Sequence, residues 1–514
     1  MECCLGIDLG TSSVRALALG PDGRILGVQG CGYAIREPRP GFAEQSPAEW
    51  WSAVVDCTRR LMGIDSLRGA RVRGIGLSGQ MHGLVLLDRD GTPLRDAIIW
   101  PDRRTAEICR EWTDTIGTGT IGSITGLPVA TGFMAPSLAW VKRNERQVYD
   151  RAASVVLPKD YIRYRLTGRL ATDVTDASGS LLFDVTRREW STQLLGAFGL
   201  DARLLPPVVP TTAAQGTLTK PAADETGLEA GIPVAAGGAD IAMANLALGV
   251  GEPGTVAVSI STGGTVVTGV DRLVLDRRLH TFCGVMPGRW ILMGASLSAG
   301  LSMSWFSRNI AGPGGGAAAE GAAAEGADSG VETLSREAEA VPAGAEGLLF
   351  APYLCGERTP YMDPNARGCF IGLSLRHTRA HMVRAIMEGV AYSLGDSLEL
   401  FRQLQVPVGD VQCSGGGSRS PLWRQILADV FDRPVRWHPG EEHSALGAAM
   451  VGALAAGLPA RLARADEEPR TTFPNPEAAA VHRSQHAVFR RIHPQLTGVF
   501  DELARAEAAR GAGG

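Results

Sequence analysis

Apolar residues in the first thirty positions fall into three short runs divided by turn chemistry. Cys4, Leu5 and Ile7 lead into Asp8-Leu9-Gly10-Thr11-Ser12-Ser13. Val14, Leu17 and Leu19 make a second run, Pro21-Asp22-Gly23 is a turn, and residues 24–28 resume the apolar pattern. Three hairpin-linked strands are predicted. The period then changes. Ser46-Pro47-Ala48-Glu49 has the form of a capping box with proline at the first helical position, and Trp50, Trp51, Val54, Val55 and Leu61 continue at helical spacing. Residues 72–77 read as strand again, so the order is three strands, a helix and a strand.

A related order follows residue 250. Val256, Val258 and Ile260 alternate with Thr255, Ala257, Ser259 and Ser261, a period of two. Ser261-Thr262-Gly263-Gly264-Thr265 forms a turn, and residues 266–270 the return strand. Further strands are expected at 290–293, 348–353 and 411–414, and helices over 378–404, 421–430 and 445–456. Both halves therefore open with a hairpin carrying small residues at its turn, a weak repeat at domain scale. The expected division is an N-terminal domain over residues 1–246, a second domain over 247–475, and a C-terminal helix and tail over 476–514. Residues 311–330 are almost pure Ala, Gly and Glu, which cannot specify a core, so a surface insertion, part helix, is expected there. Residues 510–514 read as a frayed tail.

Composition narrows the class. The 514 residues are 45% hydrophobic and 20% charged, enough for a sizeable core and unlike a disordered chain. A net charge of −4 provides no basic field for nucleic acid. Nine cysteines, an odd number with no CxxC spacing, argue against a disulfide framework or zinc site and favour a reducing compartment. His377 and His381 lack the Glu of a zinc-binding helix motif and read as surface residues. No basic leader is seen, and no apolar run approaches ~18 residues. A cytoplasmic protein with neither membrane nor nucleic-acid partners is expected. Glycine, 65 residues, is in marked excess and points to tight turns and close backbone approaches.

Several of these turns could carry chemistry. Gly10, Thr11, Ser12 and Ser13 place backbone N–H groups and hydroxyls where an anion can be held, and Asp8 just before them can hold a hydrated magnesium ion. Thr262, Gly263, Gly264 and Thr265 repeat that chemistry in the second half. Both also suit plain hairpins. Gly415, Gly416, Gly417 and Ser418, between a strand and a helix, allow a flat ligand to lie against the backbone near a helix N-terminus. Asp240, after the apolar run 232–236 and Gly237-Gly238-Ala239, suits either an accessible base or a helix cap. Gly79-Gln80-Met81-His82-Gly83 offers amide, imidazole and backbone to hydroxyl groups. In Trp100-Pro101-Asp102-Arg103-Arg104, Asp102 is expected to be exposed, able to accept bonds from a polyol or to pair with Arg103.

These pieces, in this order over about residues 3 to 500, resemble the FGGY carbohydrate kinases. Residues 8–13 and 261–265 resemble the family's two phosphate-binding turns. Residues 414–420, with Trp423 and Ala428-Asp429-Val430, resemble its adenosine motif. Gly368-Cys369-Phe370-Ile371-Gly372-Leu373 followed by Met387-Glu388-Gly389 resembles a second signature. The resemblance implies an α/β protein of two actin-like (ribonuclease H-like) ATPase domains with a cleft between them, sugar bound by the first and nucleotide by the second. It implies ATP and Mg²⁺ as cofactors, Asp240 as catalytic base, and Asp8 and Asp240 at the metal. Within the family, residues 78–83, Gly41-Phe42-Ala43-Glu44-Gln45 and residues 97–103 are most similar to the branch that phosphorylates D-xylulose. By this resemblance Met81, His82, Trp100, Asp102 and Asp240 face the sugar, while Gly10 to Ser13, Thr262 to Thr265 and Gly415 to Ser418 hold the nucleotide. Three departures stand out: Ile241 where that branch has Asn, Ser137 where Lys is usual, and Pro101 and Arg103 where Asn and Gly are common. Kinases for ribulose, xylitol, glycerol or gluconate, or an actin-fold ATPase switch, stay open as alternatives, as does a homodimer.

Overall fold

The three N-terminal runs form the expected meander. In the computed structural model, which describes residues 1–311, 325–437, 440, 442–460 and 469–511, Glu2–Leu9 pairs antiparallel with Ser13–Leu19 and that strand with Ile25–Gly32. On its other side Glu2–Leu9 runs parallel to Arg71–Gly79, with Asp8 opposite Ser78. Arg71–Gly79 is in turn parallel to Pro233–Ala235 and to Gly238–Ala239, with Gly238 also opposite Ser78. Three parallel strand ends therefore lie side by side at Asp8, Ser78 and Gly238. That is the carboxyl edge, where open α/β sheets bind their ligands.

The strands read as apolar runs because helices cover both faces. Leu5, Ile7, Ile75 and Leu77 are buried with Trp50, Val54, Cys57 and Leu61 of the Pro47–Met62 helix. Ser46 occupies the N-cap of that helix but makes no side-chain capping bond. The expected capping box does not form, because Glu49 is drawn to Arg36 instead. The opposite face takes the His443–Ala455 helix, which approaches without room for side chains. A Cβ on Gly6 would meet the Ala445 carbonyl oxygen at 1.8 Å, and one on Gly76 would meet that of Ala448 at 1.8 Å. This contact draws Glu442–Glu468 into one compact unit with Met1–Gly251 and Gly269–Leu292. Chain order alone had assigned residues 442–468 to the second domain.

The second unit comprises Glu252–Thr268, Met293–Glu441 and Pro469–Gly514. Gly254–Ile260 pairs antiparallel with Gly264–Val270 and parallel with Val408–Ser414. Val435–Trp437 and Arg470–Thr472 extend the sheet. Arg379–Gln403 forms the long expected helix. Its N-cap Thr378 makes a true capping box with His381, which accounts for that histidine. Leu349–Ala351 is a shorter strand than expected. Of the Ala/Gly/Glu insertion, residues 312–324 lie outside the described residues, and a helix runs over Glu325–Ala338. The C-terminal region is two helices, Pro476–Phe489 and Ile492–Gly511; of the expected tail, 512–514 lie outside the described residues. Among the described residues no helix is long and apolar enough to cross a membrane.

Candidate active site

In the first unit the carboxyl edge of the parallel strands gathers most of the predicted residues. The chain leaves Gly238–Ala239 directly into the helix Asp240–Ala247, so Asp240 occupies the first helical position and Ala239 the N-cap. Asp240 Oδ1 accepts the N–H of Ile241 at 2.7 Å. On the other side of the peptide, Ser444 Oγ donates to the Asp240 carbonyl at 3.2 Å. Burial, with the Asp8 charge added to it, pushes the Asp240 carboxyl up to about 7. Burial likewise pushes Asp8 up to about 6. Asp8 Oδ1 is buried without a hydrogen-bond partner, as is Oε1 of the neighbouring Gln80.

The turn after Asp8 is braced from several elements. Gly10 N–H donates to Ser13 O at 3.0 Å, and Gly10 O accepts from the Tyr33 hydroxyl. Thr11 O accepts from Gln45 Nε2 at 2.7 Å, and Thr11 Oγ1 from Trp100 Nε1 at 2.9 Å. Gln45 is itself held by Gln80 Nε2 at 2.9 Å and Trp50 Nε1 at 3.2 Å. Tyr33, Gln45 and Gln80 all brace the turn from elsewhere in the chain. Their role is contact across the fold, for which local spacing carries no signal. Trp100 is 47% exposed, so its ring faces solvent beside the turn.

His82 adopts φ +72°, a left-handed conformation uncommon outside glycine. Its Nδ1 lies 2.6 Å from Gly179 O. A carbonyl only accepts, so Nδ1 carries the proton. The ring also meets Phe133 edge-on, centroids 4.4 Å apart. Met81 is buried against the same Gly179 segment. Asp102 departs from expectation. It is 1% exposed, its carboxylate accepts the Ala43 N–H at 2.7 Å, and its ion pair is with Arg104 at 2.7 Å, not Arg103. A buried carboxylate needs a matching cation, and Arg104, itself stacked 3.9 Å from the Phe42 ring centroid, provides it. Asp102 thus fixes residues 41–43 from inside rather than offering oxygen to a ligand.

In the second unit, register sets the other turns together. Ser259 is opposite both Thr265 and Ser414, so the 261–263 turn and the 415–418 turn leave the sheet at one end. Ser261 O accepts from Gly300 N–H at 2.8 Å, and Thr262 O from Ala299 and Leu301 N–H at 3.0 Å each. These bonds pin the turn to the start of the Gly300–Asn309 helix. Thr262 and Gly416 face solvent. Gly415 has φ +84°, and a Cβ there would lie 2.5 Å from Ile260 O, so glycine is obligatory. Ser418 is 1% exposed with its hydroxyl turned back to Gly415 O at 2.6 Å, so it shapes the loop from within. Ser420 caps the Pro421–Phe431 helix through Trp423 N–H at 3.2 Å.

Comparison with known proteins decides the class. Residues 3–247 match the N-terminal domain, and residues 256–456 the C-terminal domain, of the FGGY family of carbohydrate kinases. The chain belongs to the FGGY family of carbohydrate kinases. It is 37% identical over 459 residues to xylulose kinase of Bacillus subtilis, covering 89% of each chain. It is 34% identical over 499 residues to xylulose kinase of Escherichia coli, covering 96% of this chain and 99% of that one. A crystal structure of a xylulose kinase from Brucella ovis superposes with a TM-score of 0.88 at 32% identity, over 97% of this chain and all of that one. This FGGY carbohydrate kinase therefore has the two-domain actin-like α/β fold that its motifs implied. Kinases of the family draw their phosphoryl group from ATP.

Proposed function

We propose that this kinase phosphorylates a ketopentose, converting D-xylulose to D-xylulose 5-phosphate, with Asp240 as general base and Mg-ATP as donor. The observation that carries the reading is the Asp240 carboxyl, pushed up to about 7 at the edge where Asp8 also lies. A base whose affinity for a proton is near neutrality suits deprotonation of an alcohol. The names of the similar xylulose kinases support the choice of sugar.

In this reading Asp240 takes the proton of the primary hydroxyl as its oxygen bonds to the γ-phosphorus. The bond from phosphorus to the β–γ bridging oxygen breaks, and ADP leaves. Met81, His82 and Trp100 hold the sugar, and the Arg104-bound Asp102 fixes the loop beside them. Gly10, Thr11, Ser12 and Ser13 are the phosphate-holding turn of the first unit; in the second unit Thr262 to Thr265 hold phosphate and Gly415 to Gly417 the adenosine, with Ser418 shaping that loop from within. Such transfer rests mainly on positioning and electrostatics. A divalent cation fits the first unit: the partnerless Asp8 Oδ1 and the mutual repulsion of Asp8 and Asp240 are what a cation relieves. Asp8 and Asp240 would hold Mg²⁺, which when bound neutralises charge on the phosphates.

A second reading, a kinase for another polyol, draws on Ile241. It is half-buried beside the base and offers no hydrogen bond where the D-xylulose branch carries Asn. ADP release measured across D-xylulose, D-ribulose, L-ribulose, xylitol, glycerol and gluconate decides between them. The highest kcat/KM is expected for D-xylulose, and strong turnover of another substrate beside failure of D-xylulose would replace it.

The titration of Asp240 gives a pH prediction. The base acts only when ionised, so kcat/KM should fall about tenfold per pH unit below about 7 at limiting Mg²⁺. Raising Mg²⁺ favours the ionised carboxylates and should move that limb to lower pH. A limb indifferent to Mg²⁺ would remove Asp8 and Asp240 from the metal site.

A further inference from the structure

Beneath the Asp240 edge of the first unit lies a buried charged cluster that the chemistry above does not use. Lys159 Nζ is 2.6 Å from Asp160 Oδ1, 3.0 Å from Asp173 Oδ1 and 3.2 Å from Asp176 Oδ2, and Arg163 Nη1 is 2.8 Å from Asp160 Oδ1. All five side chains are fully buried. Burial drives the Asp176 carboxyl well above the usual range. Against the same burial penalty, Lys159 and Arg163 hold Asp160 low. Two cations and three carboxylates are thus packed together out of water.

Asp173 passes this anchorage on. Its Oδ2 accepts from Thr175 Oγ1 at 2.6 Å, from Thr175 N–H at 2.8 Å and from Thr211 Oγ1 at 2.7 Å. With its proton given to Asp173, the Thr175 hydroxyl oxygen is left to accept, and it accepts the N–H of Ala239 at 3.0 Å. Ala239 is the last residue before Asp240 and the N-cap of the helix that Asp240 begins. The Asp240 carboxylate is tied to that helix start through Ile241 N–H, so whatever fixes the helix start fixes the carboxylate.

We propose that Thr175 is a positioning residue for the proton-accepting carboxylate, holding the peptide before Asp240 in place from the buried ion cluster around Lys159. The proposal rests on the reading of Asp240 as base. Without the Thr175 hydroxyl, Ala239 N–H has no acceptor inside the fold and the helix start shifts. A displacement near 1 Å can cost about 10²-fold in rate.

The test compares Thr175→Val, Thr175→Ala, Thr175→Ser and Thr211→Val, with kcat and KM from ADP release and thermal midpoints for each. Thr175→Val and Thr175→Ala should lower kcat by roughly 10–100-fold with sugar KM within about threefold, because the sugar contacts stay in place. Thr175→Ser keeps the hydroxyl and should restore kcat to within about threefold of wild type. Thr211→Val removes a hydroxyl from the same Asp173 oxygen without touching Ala239. It should lower the midpoint much as Thr175→Val does, yet leave kcat within about threefold. The proposal is overturned if Thr175→Val and Thr175→Ala keep wild-type kcat, if Thr211→Val loses as much, or if neither Thr175 variant folds, which would assign the residue to the fold alone. Full activity in Asp240→Asn would instead overturn the base reading itself.

Discussion

Asp240→Asn is expected to lower kcat by roughly 10²–10⁴, the usual contribution of a general base, while sugar KM changes far less. The substitution keeps the shape of the side chain, and the amide oxygen can still accept the Ile241 N–H now bonded at 2.7 Å. What it removes is the capacity to take a proton. The fold should not suffer. The Asp240 carboxyl is raised from 3.8 to about 7, so the folded protein binds its proton more tightly than the unfolded chain. Stability contributed by that proton is whole below about pH 4 and falls as pH rises through about 7. Asparagine never ionises and does not repel Asp8. The variant should therefore melt no lower than the native enzyme at pH 8. Steady-state ADP release and a thermal melt check both halves, and wild-type kcat in a folded variant would leave the enzyme without its proposed base.

Lys159→Met should destabilise the first unit by about 3–5 kcal/mol, the cost of leaving buried charge uncompensated. Lys159 touches three carboxylates at 2.6 to 3.2 Å with no exposed surface. Methionine matches its length and fills the space, so the loss is electrostatic rather than a cavity. Asp160 keeps Arg163 at 2.8 Å. Asp173 keeps its hydrogen bonds from Thr175 and Thr211 but loses its cation. At about 2–4 °C per kcal/mol for a domain of this order, the midpoint should fall by roughly 10 °C. Replacing Arg36, whose ion pairs to Asp96 and Glu49 lie on the surface, should barely move it. Equal melting of Lys159→Met and the native enzyme would show that the cluster carries no net stabilisation.

Much of the candidate site was legible because its chemistry is local. A glycine-rich turn between two apolar runs needs the same small residues wherever it occurs, so residues 8–13, 261–265 and 414–420 stand out by spacing. Asp240 stands out as a carboxylate at the end of an apolar strand. Asp102 misled for the opposite reason. An Asp in a Trp-Pro-Asp-Arg-Arg loop reads as exposed until Arg104 is seen folded over the Phe42 ring and paired with it. Ser418 likewise reads as a ligand contact, but its hydroxyl is spent on Gly415 O. Ser46 and Glu49 fit a capping box, but Arg36, ten positions upstream of Ser46, competes for the Glu.

Periodicity and turn chemistry are properties of neighbouring residues, and they determined the meanders, the main helices and the glycine-rich turns, while the family was legible through the resemblance of its motifs. Contacts between residues far apart in the chain are not encoded in spacing, so tertiary structure alone decided the rest. It set Asp8, Ser78 and Gly238 abreast through strand register. It brought the His443–Ala455 helix onto glycines 6 and 76, where only bare backbone fits. It also joined Lys159 to the peptide before Asp240 through Asp173 and Thr175, a chain of buried hydrogen bonds that exists only once solvent is excluded.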